Sequence, residues 1–295
     1  MSEQWFAKAE TQASKMVHAL NDAGAIKSVG SFRNYEQALT QIAQSFKENG
    51  LPSINNLTPQ QATEYLVDRA TQVQQPTLNL ERQAMQKVMQ HYNHQLAPKE
   101  TLPVVKSELQ TIQASRAYTP EQIREVLVHQ TPHNAISTEI AHAAGLRAHE
   151  LLTIKPMAER APDVRPAHEA KFEGREGVSY TVTGKGGLTR EIQLPRELSE
   201  RLEGYRLPEP EKVTDRGVHY ERSYEIGGGN AWSSSFTRAS QRGIGRSSGA
   251  HGLRHSYAQE RMNELRYEYV REERLQIVSQ EMGHFRPEIT EVYLR

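Results

Sequence analysis

The sequence predicts a mainly α chain with one small antiparallel sheet, an α+β fold in two domains spanning residues 1–112 and 113–295. Three observations lead there. At 295 residues the chain exceeds what one compact core usually holds. Helix-start signals recur through the first half with hydrophobic residues at helical spacing. The second half holds one pair of alternating, β-rich segments joined by glycines, which is a hairpin pattern.

The elements follow in order. A first amphipathic stretch runs from about Glu3 and stops at Asn21-Asp22-Ala23-Gly24. Ser31 is positioned to cap a second helix, with Tyr35, Leu39, Ile42 and Phe46 on one face and Asn49-Gly50 as its stop. Thr58-Pro59-Gln60-Gln61 pairs a capping oxygen with proline at the first helical position and Gln three residues on, so a third helix continues through Tyr65 and Leu66. A fourth spans Leu78 to about His91, burying Leu80, Ala84, Met85, Val88 and Met89 as ordinary core. Ala97 to Tyr118 contains Pro98 and Pro103 and reads as the interdomain linker. A second capping sequence, Thr119-Pro120-Glu121-Gln122, then opens a helix with Ile123, Val126 and Leu127 on one face.

Leu151-Leu152-Thr153-Ile154 reads as a short strand. Val178–Thr183 and Thr189–Leu194 form a hairpin closed by Gly184-Lys185-Gly186-Gly187. After Pro195 the pattern is helical again, except for a loop-like stretch from Pro208 to Asn230.

Composition narrows the function classes. With 36% hydrophobic and 24% charged residues the chain has ordinary cores, and no apolar run approaches the ~18 residues of a membrane span. The polar start Met1-Ser2-Glu3-Gln4 is unlike a signal peptide, so the expected location is cytoplasmic, with no membrane partner. The absence of cysteine excludes disulfides, thiolate metal sites and a Cys nucleophile. Formal charge is zero, from 36 basic and 36 acidic residues, yet no acidic residue lies between Glu225 and Glu260. There Arg238, Arg242, Arg246 and Arg254 accumulate beside His251 and His255. Such a patch is either a solvated basic loop or a DNA-facing surface.

Several polar residues suit chemistry at a phosphodiester. Arg147 follows Gly145 at an apparent helix start, with Glu150 three residues on. Arg254 and His251 share a helical face, Lys185 sits at the hairpin tip, and Tyr293 lies nine residues after His284. Each has an ordinary reading: a surface ion pair, a core histidine, a turn lysine, a packed tyrosine. His251 and His255 also have half of a metal-pair spacing, but Gly252 stands where a zincin carries Glu. Order and spacing together are more restrictive. A phenol has a pKa of about 10, so at pH 7 roughly one in a thousand is ionised and a site must supply about 4 kcal/mol. A pentacoordinate phosphate needs preorganised cations, for which the arginine fork is suited.

Arg147, Lys185, His251-Gly252-Leu253-Arg254, Gly283-His284 and Tyr293 resemble the signature of the tyrosine recombinases of the phage-integrase family. The match spans roughly Thr119 to the C-terminus. The resemblance implies a tyrosine-recombinase catalytic domain after a helical, SAM-like core-binding domain, the two clamping duplex DNA. To the latter Ser31-Phe32-Arg33-Asn34-Tyr35 and Pro76-Thr77-Leu78-Asn79 are more loosely similar. It implies Arg147, His251 and Arg254 as activators of the scissile phosphate and Lys185 as general acid. His284 becomes a further phosphate ligand, Tyr293 the nucleophile of a 3′-phosphotyrosyl link, and Glu150 a supporting acid, with no metal and no cofactor. The implied function is site-specific recombination, as the integrase of a phage or mobile element, on a double-stranded recombination site bound by a homotetramer, with accessory DNA-bending proteins as further partners. Type IB topoisomerase activity and a catalytically silent DNA-binding scaffold are the alternatives; a histidine-based metallohydrolase lacks carboxylate partners. The reading expects the compact two-domain type without an arm-binding domain, and in this sequence Leu294 and Arg295 follow Tyr293 where many members of the family continue with a helix that docks on a neighbour.

Overall fold

The computed structural model describes residues 7–110 and 114–295 and divides into two compact units, Met1–Ile112 and Gln113–Arg295. The first is all-helical: α1 (Ala9–Asp22), α2 (Val29–Glu48), α3 (Pro59–Arg69) and α4 (Gln75–His91). Their apolar stripes meet in one core of Met16, Val17, Leu20, Leu39, Ile42, Phe46, Leu66, Met85 and Val88, each buried side chain contributing on the order of 1.5–3 kcal/mol. The Thr58 capping box forms as expected. The expected start near Glu3 lies outside the described residues.

Two helix starts differ from expectation. The cap of α2 is Ser28, whose Oγ accepts from the Ser31 amide at 3.1 Å. The earlier start adds Val29, Gly30 and Ser31 to the helix, and Phe32 lies edge-on to His18 at 5.0 Å. Helix α4 begins at Gln75 because Pro76 fits its first turn and the Gln75 side chain bridges the Val105 carbonyl and the Ser107 amide. Those bonds fasten the first part of the expected linker segment to the first unit, where Leu102 is buried in the core and the Glu108 amide donates to the Ala70 carbonyl. At the far end, Tyr118 is buried in the second unit, its amide donating to Ser256 Oγ.

The second unit opens with α5 (Pro120–Val128), with its Thr119 capping box, and α6 (Pro132–Ala143), a helix the sequence reading did not single out. Its three-stranded antiparallel sheet has order β1 (Lys155–Pro156), β2 (Val178–Thr183), β3 (Thr189–Leu194), with Tyr180 opposite Ile192. After α7 (Arg196–Glu203), β4 (Arg206–Asp215) and β5 (Val218–Tyr224) pair as a second hairpin. Helices α8 (Gly229–Ile244), α9 (Gly252–Glu264), α10 (Arg271–Glu281) and the short α11 (Pro287–Thr290) complete the unit. One core gathers Val126, Ile140, Val182, Leu194, Trp232 and Phe236; another joins α9 and α10 through Tyr257, Ala258, Ile277, Val278 and Met282.

Three expectations are corrected here. Leu151–Ile154 is no strand: Glu150–Thr153 forms a 3-10 turn whose four residues are all buried. A fully apolar run carries no period, so burial alone cannot distinguish the two. The loop-like stretch from Pro208 to Asn230 is mostly the β4–β5 hairpin and the start of α8. β4 is exposed along most of its length, so no alternation marked it; the Arg216-Gly217 turn, with φ of 49° and 78°, sets the reversal. The acid-free stretch is no flexible loop either, since Arg238 and Arg242 lie exposed on α8 and Arg246 just beyond it.

Candidate active site

Residues far apart in sequence converge where the α6 exit, the β2–β3 hairpin, the start of α9 and the turns after α10 meet. Arg147 lies in the loop after α6, not at a helix start as its sequence suggested. That loop is set by Gly145, whose φ is +58° and whose absent Cβ would lie 2.8 Å from the Tyr257 ring, so a side chain there is excluded twice over. The Gly145 carbonyl accepts from Arg254 Nη1, and Arg254 Nη2 donates to the Met282 carbonyl at 3.0 Å. Arg254, in the first turn of α9, is fully buried. It ties the segment before Arg147 to the segment before His284. Burial, with Arg147 nearby, lowers its pKa to about 10, so it remains a cation at neutral pH.

Glu150 is the hub of the charges. Its Oε1 accepts from Arg147 Nη1 at 2.8 Å, and its Oε2 accepts from the Arg147 amide at 2.8 Å and Arg190 Nη2 at 3.0 Å. Complete burial raises its pKa, but Arg190, Arg254 and Arg147 more than reverse that and hold it near about 2. An ionised carboxylate fixes Arg147, whose side chain stays 27% exposed and free to face a ligand.

Tyr293 sits in the 3-10 turn Glu291–Leu294, which Gln259 Nε2 pins through the carbonyls of Tyr293 and Arg295, both at 3.1 Å. Three imidazoles surround its ring. His284 stacks at 5.8 Å and 2°, His255 lies at 5.0 Å and His251 at 5.6 Å. The Arg254 guanidinium stands 5.4 Å from the same ring. Burial, then Arg254, pushes the His284 pKa down to about 3. His251 falls to about 4 through lost hydration on the packed side of its ring and Arg254, although the residue keeps solvent access. His255 also falls to about 4, through burial and Arg116. All three are neutral near pH 7. Both ring nitrogens of His284 are buried, and neither makes a well-formed hydrogen bond within the protein.

Lys185 is exposed at the hairpin tip, outside this packed group. The hairpin nevertheless begins against it: a Cβ on Gly184 would lie 3.2 Å from Glu150 Oε1 and 3.9 Å from Arg147 Nη1. Arg147, Glu150, His251, Arg254, His284 and Tyr293 are therefore brought together, Lys185 projects beside them, and Arg238, Arg242 and Arg246 stand apart on an exposed surface. Sequence reasoning missed the role of Arg190, His255 and Glu281. Arg190 carried a signal, being a charge at an inward position of the alternating strand β3. Glu281 had none: its contacts to Arg261 Nε and Nη2, at 2.9 and 2.8 Å, and to the Tyr257 hydroxyl, at 2.8 Å, arise only in three dimensions. Among the described residues no three His, Cys, Asp or Glu side chains are arranged to hold a metal ion. Among those residues, too, no helix is long and apolar enough to cross a membrane.

No protein-family model matches the chain, and no curated protein matches it in sequence. Solved structures do resemble it. XerH site-specific recombinase, in a post-cleavage complex with a palindromic difH substrate, aligns with a TM-score of 0.60 at 15% identity, covering 100% of this chain and 87% of that one. A lambda integrase tetramer bound to a Holliday junction gives 0.60 at 14%, covering 98% and 78%. The Tn1549 transposon integrase in complex with transposon right end DNA gives 0.56 at 13%, covering 98% and 95%.

Proposed function

We propose that this chain, which has the fold of the tyrosine recombinases, is a site-specific DNA recombinase that cleaves and rejoins DNA through a 3′-phosphotyrosyl intermediate. The observation that carries the reading is the packing of Arg254 and three neutral imidazoles around the Tyr293 ring beside the Arg147–Glu150 pair. One cation over the phenol ring, a second held nearby by Glu150, and an imidazole stacked on the ring suit a phosphate whose charge grows on its non-bridging oxygens.

In the proposed reaction the Tyr293 oxygen attacks phosphorus while Arg147 and Arg254 bind non-bridging oxygens and His251 and His284 donate to them. The phenol proton passes to a neighbouring neutral imidazole. The P–O bond to the 5′-oxygen breaks, and that oxygen takes a proton from Lys185 at the exposed hairpin tip. The phosphodiester energy is kept in the Tyr293–phosphate bond, so the reverse attack by a 5′-hydroxyl rejoins a strand without an external energy source. Residues 113–295 act as the catalytic domain, with Arg238, Arg242 and Arg246 as phosphate contacts, and residues 1–112 as a helical core-binding domain. Affinity comes mainly from backbone phosphates. Strand exchange requires two duplexes and hence four protomers, the assembly in which lambda integrase is seen on a Holliday junction.

A nicked suicide substrate carrying the cognate site tests this. Wild type is expected to form a covalent protein–DNA adduct that survives denaturation, and Tyr293→Phe none. Relaxation of supercoiled DNA without exchange would indicate the type IB topoisomerase alternative. Binding without any adduct would indicate a silent scaffold.

A further inference from the structure

Arg190 lies outside the residue set from which the proposed reaction is built. It occupies an inward-facing position of β3, aligned with the buried Ile192 and Leu194, and is 4% exposed. A charge in a core slot is costly unless it is paired and hydrogen-bonded. Arg190 finds two partners on opposite sides of the site. Its Nη2 donates to Glu150 Oε2 at 3.0 Å and its Nη1 to the Glu281 carbonyl at 2.6 Å. Its stem passes directly beneath the turn before His284: a Cβ on Gly283, where φ is +76°, would come within 2.3 Å of Arg190 Cδ. Gly283 is thus glycine partly because Arg190 is there.

We infer that Arg190 is a positioning residue, a buried brace that holds Arg147, through Glu150, and His284, through the Glu281–Gly283 turn, in one fixed geometry. The inference rests on reading Arg147 and His284 as phosphate ligands. It acts through others, because both terminal nitrogens are occupied by protein acceptors and the head has almost no open surface. Its position on β3 also ties both ligands to the strand that leads out of the Lys185 turn. Three segments that meet only in the fold therefore share one guanidinium. Arg254 spans the same two segments through the Gly145 and Met282 carbonyls, so losing Arg190 loosens the geometry without severing it. Lysine cannot substitute, since a single ammonium on a flexible stem does not present the planar fork that reaches two acceptors on separate segments.

The test uses full-length Arg190→Met and Arg190→Lys. Single-turnover adduct formation is measured on the nicked substrate, and equilibrium binding in the Tyr293→Phe background. A misplacement of ligands by about 1 Å predicts a rate loss on the order of 10²-fold in both variants, with binding within about threefold of wild type. Arg190→Lys, which keeps the charge beside Glu150, recovers thermal stability relative to Arg190→Met but not the rate. A merely structural Arg190 predicts instead that rate follows stability, so recovery of both in Arg190→Lys overturns the inference. So does an undiminished rate in Arg190→Met. A readout independent of activity is amide exchange at Gly283, His284 and Phe285, whose N–H groups close the turn onto Gln280 and Ser279. Exchange there speeds up in both variants while α9 stays protected; unchanged exchange refutes the brace. If wild type forms no adduct, the functional reading fails while the exchange result still decides the brace.

Discussion

Replacing Glu150 by Gln keeps shape and one carbonyl acceptor but removes the charge on which Arg147, Arg190 and Arg254 converge. Glutamine mimics the protonated acid, so the cost follows from how strongly the fold favours the carboxylate. Glu150 is fully buried and held near about 2 against an ordinary 4.5, a difference worth about 3 kcal/mol. For a unit of this size that lowers the melting temperature by roughly 6–12 °C at pH 7. The pH dependence has a definite sign. A depressed carboxylate contributes stability that is fully present above its unfolded pKa and is lost as pH falls through the folded one. The gap between wild type and Glu150→Gln is therefore full above about pH 5 and closes as pH falls toward 2. Thermal unfolding followed by circular dichroism from pH 7 to pH 3 measures it. A gap under about 2 °C at pH 7, or one that ignores pH, refutes the claim that three arginines hold a buried carboxylate.

Other outcomes follow from the same geometry. Arg147→Ala is expected to slow cleavage by at least 10²–10³-fold while binding to the cognate site changes little, one phosphate contact among many; losses confined to binding in a gel-shift titration would make Arg147 an ordinary anchor. His284 stays neutral down to about 3, whereas its unfolded form takes up a proton near 6.5, so this burial costs wild type stability as pH falls from 6.5. His284→Gln removes that liability, and melting curves should shift in the variant's favour between pH 7 and pH 4.5; a constant difference contradicts the neutral imidazole. A chelator should leave adduct formation unchanged, and strong inhibition would restore a metal-dependent reading.

Local chemistry was legible in the sequence, and tertiary closure was not. Both Thr-Pro capping boxes and the β2–β3 hairpin carry their instructions within a few residues, and they form as read. The convergence of Arg147, His251, Arg254, His284 and Tyr293 was legible through order and spacing, because they sit at turns and a helix start that short motifs mark. What escaped depends on contacts across the fold. Leu151-Leu152 is as apolar in a 3-10 turn as in a strand, and the β4–β5 hairpin is too exposed to alternate. Arg190 and Glu281 acquire their roles only when β3 and α10 close on the same turn. What holds Tyr293, two residues before Arg295, is also a matter of contacts across the fold. Part of the answer is Gln259 on α9, which grips the backbone on both sides of Leu294, together with His284 stacked on the ring.

Tyr293 is the proposed point of covalent attachment, and mapping the adduct tests that most directly. After trapping on the nicked substrate, digestion with nuclease and trypsin leaves the fragment Leu275–Arg295, since the Arg286–Pro287 bond resists cleavage, and Tyr293 is its only tyrosine. Mass spectrometry is expected to find the 3′-nucleotidyl phosphate on that peptide and on Tyr293. Attachment at any other residue, or on a 5′-phosphate, would contradict it.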